Sequence, residues 1–558
     1  MKIFLMSAFY TAFFFCSAIA QQLAKPSPQQ YAWHEQERIM FLALDPCTWQ
    51  GREYDNHSTP LSRINPSKLN TDQWCRVAKL WGAKEILFVA KHTGGFCWWQ
   101  THTTNYGIRN TPWKNGKGDV LAELSKSCKK FGLNLGIYVY PGDETWGAGI
   151  GSGGKTKDPS KQAAYNKIYR EQLKEVLIRY GKITEVWFDG SCLIDVSDVL
   201  AKYAKHAVIL QGPQATLRWV GNEQGIAPYP AWNSLSLADL KTGVSTAVQS
   251  NPNGHAWAPL ECDVPLYNHN WFWSKANEQK RRSLDELMEI YYKSAGRGSV
   301  MLLNSTPDTT GLIPEGDILI YEELGKEIKR RFEHPLASAA NQNTNLVEIN
   351  LQSPATINHA VIMEDYRSGE RIRAYEIEGF VNGQWQKLSD GSSVGRKKID
   401  WFDNVTVTKV RFRVTKSVGK PLIRSFSLYK IDNTPELLQK PVTNTGWQYL
   451  NSWTADMLKK GKASITLNLT PFITKRGQYE VKFEQTEGNS KLKILHAELL
   501  YEGQKTLPEF LVQKANTFYI NRTAQVTNET SSVLNVTFSS DKGWDCKGNI
   551  YFRLQPIE

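Results

Sequence analysis

Glu185-Val186-Trp187-Phe188-Asp189-Gly190 is the stretch from which the rest of the chain is read. Val186 and Phe188 alternate with Glu185 and Trp187, the two-residue period of a strand. The run closes on a carboxylate, and Gly190 frees the backbone to turn away. An acid at the C-terminal end of a buried strand is how a barrel enzyme presents a nucleophile. An isolated Asp-Gly pair more often caps a turn or a helix, so the surroundings must decide.

Seven further apolar runs surround it between residues 39 and 307. They are Ile39–Asp45, Glu85–His92, Leu133–Pro141, Ala207–Gly212, Leu217–Glu223, Ala258–Val264 and Ser299–Pro307; the quoted run itself spans Thr184–Gly190. Helix-like patterns separate several of them, at Asp72–Leu80, Val120–Phe131, Lys161–Arg179, Val196–Lys205 and Ser283–Ala295. Strands alternating with helices predict an α/β architecture, a (β/α)8-type catalytic barrel over residues 21–332. The later half is less regular, since no helical pattern separates Gly212 from Leu217.

Polar residues gather at the strand ends, which share one face in such a barrel. Lys91-His92-Thr93-Gly94-Gly95-Phe96, Tyr138-Val139-Tyr140-Pro141, Asp189, Arg218-Trp219-Val220-Gly221-Asn222-Glu223 and Leu260-Glu261-Cys262-Asp263 all end strands. Glycoside hydrolysis needs two carboxyl groups, one ionised and one holding a proton at raised pKa. Asp189 is the candidate nucleophile, and Glu223 or Glu261 the candidate acid. The 19 tryptophans favour a sugar-stacking cleft, with Trp98-Trp99, Trp187 and Trp271 among them, although core packing accounts for about half of such residues.

The rest of the composition narrows the class. Lys2 precedes an apolar stretch to Ile19, and Ala18-Ile19-Ala20 matches a small-x-small cleavage site. Residues 1–20 read as a signal peptide, which predicts an exported protein, periplasmic or extracellular, without a membrane span. The net charge of +12 is scattered and accompanies no nucleic-acid motif. Seven cysteines follow the leader, an odd number with no CxxC spacing, which argues against a zinc site and a complete disulfide framework. No cofactor and no metal are called; Asp45, Asp189 and Asp263 stay open as ligands. Oligomeric state is not legible.

At this point the chain resembles the α-L-fucosidases of glycoside hydrolase family 29. The likeness covers roughly residues 30–330 and rests on Ala32-Trp33-His34-Glu35, Gly51-Arg52-Glu53, Lys91-His92, Gly95-Phe96, Ile183–Gly190, Arg218–Glu223 and Glu261-Cys262-Asp263-Val264. The resemblance implies a retaining mechanism with Asp189 as nucleophile, acting on a fucosylated or related glycan. Arg-Trp-Val-Gly-Asn-Glu resembles the branch acting on branched fucosides, with Glu223 as acid/base and Glu261 in reserve or in contact with substrate. His34, Glu53, His92 and Trp187 match pocket positions, and Tyr138 and Trp271 join them as expected sugar contacts. The chain departs from the family where Ala43-Leu44-Asp45 replaces His-Phe-Gly, Thr93-Gly94 replaces His-Asp, and Tyr54 replaces Trp. Those smaller residues are read as leaving room and removing donors, so a substituted fucose or a galactose-type sugar is the alternative substrate, and a non-catalytic carbohydrate-binding protein the alternative class. A branched glycan is then expected to touch Trp98-Trp99.

Beyond residue 332 helical periodicity fades. Short strands at Leu346–Leu351, Ala360–Met363, Ala374–Val381, Val405–Val414 and Ser425–Tyr429 predict a galactose-binding-like β-sandwich over 340–434. Ala463–Leu469, Gly477–Glu484, Leu492–Tyr501 and Gly548–Leu554 predict a second β-rich domain over 441–558.

Overall fold

The computed structural model describes residues 23–240 and 250–433 without a break, and residues 447–556 apart from several short stretches. The leader lies outside the described residues. Eight strands form one parallel sheet: β1 Arg38–Leu42, β2 Glu85–Lys91, β3 Asn134–Val139, β4 Ile183–Trp187, β5 Val208–Leu210, β6 Arg218–Trp219, β7 Leu260–Val264 and β8 Val300–Ser305. Their order is β5-β4-β3-β2-β1-β8-β7-β6, with every pairing parallel. Each falls within or beside a predicted run. The seam lies between β5 and β6. There the amides of Thr216 and Leu217 both donate to the carbonyl of Ile209, at 2.8 and 3.1 Å. A tight return therefore replaces the crossover helix, which is why the sequence carries no helical pattern there.

Strand parity divides the side chains into two layers. Ile39 and Phe41 of β1, Leu87 of β2, Trp187 of β4 and Leu302 of β8 pack inside the barrel. Met40, Leu42, Ile86, Phe88 and Val186 point outward into the larger core under the helices. Those helices are α1 Pro28–His34, α2 Thr71–Leu80, α3 Val120–Phe131, α4 Gln162–Arg179, α5 Ser197–Tyr203, α6 Leu284–Lys293 and α7 Glu315–Phe332. Asn70 and Asp119 cap α2 and α3 by accepting from the amides of Gln73 and Ala122, and Ser283 with Glu286 forms a capping box on α6.

An antiparallel six-stranded sheet follows: β9 Ala337–Gln342, β10 Leu346–Glu364, β11 Ile372–Val381, β12 Gln384–Gly391, β13 Lys398–Ser417 and β14 Ile423–Tyr429, ordered β9-β14-β10-β13-β11-β12. Leu346–Leu351 and Ala360–Met363 prove to be two ends of the one long β10. Register shifts between Asn350/Ala355 and Ile357/His359 interrupt its pairing with β13, and bulges of this kind bend a strand. Val347, Ile357, Ile377, Val410, Phe412 and Phe426 share its core. The last strands form five-stranded and four-stranded antiparallel sheets around Trp453, Val481, Phe483, Leu534, Phe538 and Phe552.

The six-stranded sheet is tied to the segment just before β1. Glu37 pairs with Arg396 and Lys397, and Glu35 accepts from Arg424 at 2.8 Å and from Tyr366 Oη at 2.7 Å. Those contacts lie where β1 begins, so the opposite ends of the strands are left to the loops that carry the candidate site.

Gly325 marks the tightest helix contact. A Cβ there would lie 2.0 Å from the carbonyl oxygen of Leu80, at the end of α2. Gly→Ala in an open helix stabilises by about 1 kcal/mol. Here Gly325→Ala should instead lower the melting temperature in calorimetry, because α7 must move off α2. An equal or higher Tm would show that the contact yields at no cost.

Candidate active site

Asp189 sits two residues past the end of β4, half-buried. Phe188 still bonds to the carbonyl of Leu210 at 3.2 Å, so the strand is held up to the carboxylate. Gly190 then turns away at φ +74°. Tyr138, at the end of β3, donates its hydroxyl to Asp189 Oδ2 at 2.8 Å. Burial, with the charge of Asp189 beside it, pushes the Tyr138 phenol well above its ordinary value, so it remains a donor.

Aromatic rings wall this carboxylate. Tyr138 lies 5.7 Å from Trp187, and Phe41 lies 5.4 Å from both Trp187 and Trp271. His92 packs 5.0 Å from Phe272, 5.8 Å from Tyr138 and nearly parallel to Tyr54. Burial lowers the His92 pKa to about 4, so it presents a neutral imidazole around neutral pH. Glu53 accepts from Asn270 Nδ2 and from the amide of Trp271, both at 2.9 Å. It thus clamps the segment that brings Trp271 and Phe272 to the pocket.

The candidate acids separate cleanly. Glu223 lies exposed on the loop after β6; burial, and then the charge of Glu223, push the carboxyl of Asp263 at the end of β7 well above its ordinary value. Trp219 Nε1 donates to that same Asp263. Glu261 is fully enclosed in the barrel and accepts from Trp187 Nε1 at 2.7 Å. It belongs to a group of three buried carboxyls. Glu185 accepts from Trp33 Nε1 and Glu85 from Gln36 Nε2, each at 2.7 Å. Burial pushes Glu85 up to about 7 and Glu261 up to about 8, and Glu185 rises well above the carboxylate range through burial and the charges of Glu261 and Glu85.

His34 does not join the rim. It precedes β1, is fully buried, and bonds through Nε2 to the carbonyl of Gly298, just ahead of β8, at 2.6 Å. That is the opposite end of the strands, where the ring packs against Tyr366 and its Nδ1 is buried without a hydrogen-bond partner. Trp98 and Trp99 are likewise core residues with no exposed surface, Trp99 donating to Glu175 at 2.8 Å, so neither is placed to meet a glycan. Nor does Gly94 leave room: a Cβ there would stand 2.1 Å from Asp55 Oδ2. Asp55 fills that space and accepts from Tyr106 Oη at 2.6 Å and Gln50 Nε2 at 2.7 Å.

Behind the rim Lys91, the neighbour of His92 in its motif, pairs with Asp143 at 3.2 Å, both fully buried; no local pattern singles out Asp143. All seven described cysteines are buried and no disulfide joins them. Among the described residues no helix is long and apolar enough to cross a membrane.

The buried carboxyls make stability depend on pH. A carboxyl with a raised folded pKa stabilises fully below its unfolded value and loses that contribution as pH rises to the folded value. For Glu85 and Glu261 the window runs from about 4.5 to about 7 and about 8 respectively. Melting temperature should therefore fall between about pH 5 and pH 8, and Glu261→Gln should flatten that fall. Parallel profiles for variant and wild type would remove Glu261 from the effect.

Comparison with known proteins agrees with this geometry. The family model for α-L-fucosidase matches residues 27–331. Alpha-L-fucosidase 1 of Arabidopsis thaliana is 30% identical over 456 residues, which is 73% of this chain and 88% of the plant protein. The structure of a glycoside hydrolase 29 family member from an unknown rumen bacterium superposes at TM-score 0.66 and 26% identity, covering 96% of this chain and 100% of that one. That of SpGH29 superposes at TM-score 0.66 and 28% identity, covering 74% and 99%. With an acid held on the rim of an eight-stranded parallel barrel and a family match spanning the whole of that barrel, this chain belongs to the α-L-fucosidases, glycoside hydrolase family 29.

Proposed function

We propose that this chain is an exported, retaining, exo-acting α-L-fucosidase in which Asp189 is the nucleophile and Glu223 the acid/base. The observation that carries the reading is the hydrogen bond from Tyr138 to Asp189 Oδ2, 2.8 Å long, at the centre of an aromatic pocket. It holds the carboxylate in one orientation at the end of β4. In the first step Asp189 attacks the anomeric carbon while Glu223 protonates the departing glycosidic oxygen; in the second Glu223 takes a proton from water, which releases the sugar with its configuration retained. Glu223 suits this role better than Glu261. An acid/base must reach both leaving group and water, and Glu261 is sealed within the barrel with its carboxyl on Trp187.

The pocket wall of Tyr54, Trp187, Trp271 and Phe272 suits the apolar face and methyl group of a 6-deoxy sugar. Neutral His92 offers a hydrogen bond to a ring hydroxyl without adding charge. The departures at Ala43 and Thr93 keep a substituted fucose or galactose-type sugar as the second reading. A panel of aryl glycosides and branched fucosylated glycans separates the two; hydrolysis of galactose-type sugars in preference to every fucoside would replace the first reading.

Asp189→Asn should lower kcat by several orders of magnitude in a variant shown to be folded, as loss of a covalent nucleophile does. Near-normal turnover would remove Asp189 from the role. An NMR time course should show the retained anomer first; the inverted anomer would refute the two-step mechanism. Protein recovered from its native host should begin near Gln21, and an intact leader would contradict export.

A further inference from the structure

We propose that Asp45, Cys47 and His92 form a binding site for a thiophilic divalent cation, zinc in the first instance, at the edge of the sugar pocket. Asp45 lies on the bend that follows β1, Cys47 opens the one-turn helix Cys47–Gln50 after it, and His92 directly follows β2. All three are buried, Asp45 and Cys47 with no exposed surface. Asp45 Oδ2 stands 3.1 Å from Cys47 Sγ and 3.9 Å from His92 Nδ1, and Cys47 Sγ stands 4.0 Å from His92 Nδ1. A single point lies roughly 2.2 Å from all three atoms, which matches zinc–oxygen, zinc–nitrogen and zinc–sulfur bonds of about 2.0 to 2.3 Å. Among the described residues no other trio of metal-ligating side chains converges so closely.

A second observation points to a cation. Asp45 Oδ2 accepts from the Cys47 amide and thiol, while the other oxygen of the same carboxyl, Oδ1, is buried and meets no hydrogen-bond donor. Among the described residues no lysine or arginine pairs with Asp45, and the Asp55 carboxylate adds further negative charge nearby. Buried carboxylates are costly without compensation, and a bound dication supplies it. The donor set selects the ion. Thiolate with imidazole and one carboxylate suits zinc, whereas calcium and magnesium take oxygen ligands. Three protein ligands leave a fourth position for a solvent molecule or a sugar hydroxyl.

Binding releases the Cys47 thiol proton to solvent, so affinity rises with pH. The ion would fix the His92 ring through Nδ1 and leave Nε2 for substrate. The site does not depend on the choice of sugar or of acid/base.

The test uses the whole mature protein, stripped with a chelator, reloaded with zinc chloride, freed of excess by gel filtration and analysed for metal. One equivalent of zinc should remain on the wild type, and cobalt substituted for it should give thiolate-to-cobalt charge-transfer absorption. Cys47→Ala should lose both while retaining the wild-type circular dichroism; Cys47→Ser, nearer in size, replaces it if the alanine variant does not fold. Absence of stoichiometric zinc on the wild type, absence of the charge-transfer band, or persistence of either in a folded Cys47 variant would overturn the site and leave a hydrogen-bonded cluster only.

Discussion

The hydrogen bond from Trp187 to Glu261 joins the two halves of this barrel's interior. Below it lie carboxyls that must hold protons to be tolerated in an apolar space. Above it, Trp187 packs on Tyr138, which grips Asp189. Gly136 of β3 lets this arrangement exist: a Cβ there would come within 2.5 Å of Glu85 Oε1. The floor of the sugar pocket thus rests on polar groups whose protonation the barrel itself maintains. An apolar core would pack more cheaply, but it would offer the indole of Trp187 no acceptor and leave the ring free to turn.

The rim shows how one space can be filled from different points in the chain. The side chain that Gly94 lacks is replaced by Asp55, which reaches in from another loop and is held by Tyr106 and Gln50. Reading Gly94 as an opening in the pocket was a one-dimensional inference; the volume was taken by a residue 39 positions away in sequence. The same logic governs the tryptophans. Trp98 and Trp99 are core, while Trp187 and Trp271 line the pocket, and nothing in their local composition separates the two pairs.

Much of the barrel was legible because its strands are short and apolar, the first four regularly spaced, and because Val120–Phe131 and Lys161–Arg179 carry a helical pattern between clear breaks. The missing helix after Gly212 was legible too, and it became the seam at Ile209. The antiparallel region was read less well. The long β10 has alternately buried and exposed residues at one end and near-continuous burial at the other, so its two-residue period changes midway and the pattern marks two strands rather than one. Ala337–Gln342 and Gln384–Gly391 are largely polar edge strands, whose pairing rather than composition makes them strands.

Sequence alone determined the class of the protein: alternating elements dictated a parallel barrel, and an acid followed by glycine at the end of the fourth strand placed Asp189 on its rim. These features follow from local periodicity and backbone freedom, which a chain carries in its own order. Only the tertiary structure decided which acids are enclosed and which are exposed, because Glu223 and Glu261 both fall near strand ends in the sequence, yet Glu223 ends exposed on the loop after β6 and Glu261 ends inside the barrel on β7. Only it sent His34 to the far end of the barrel, and only it drew Asp45, Cys47 and His92 together. Which groups meet depends on strand parity summed around a nearly closed sheet, and that sum exists in three dimensions alone.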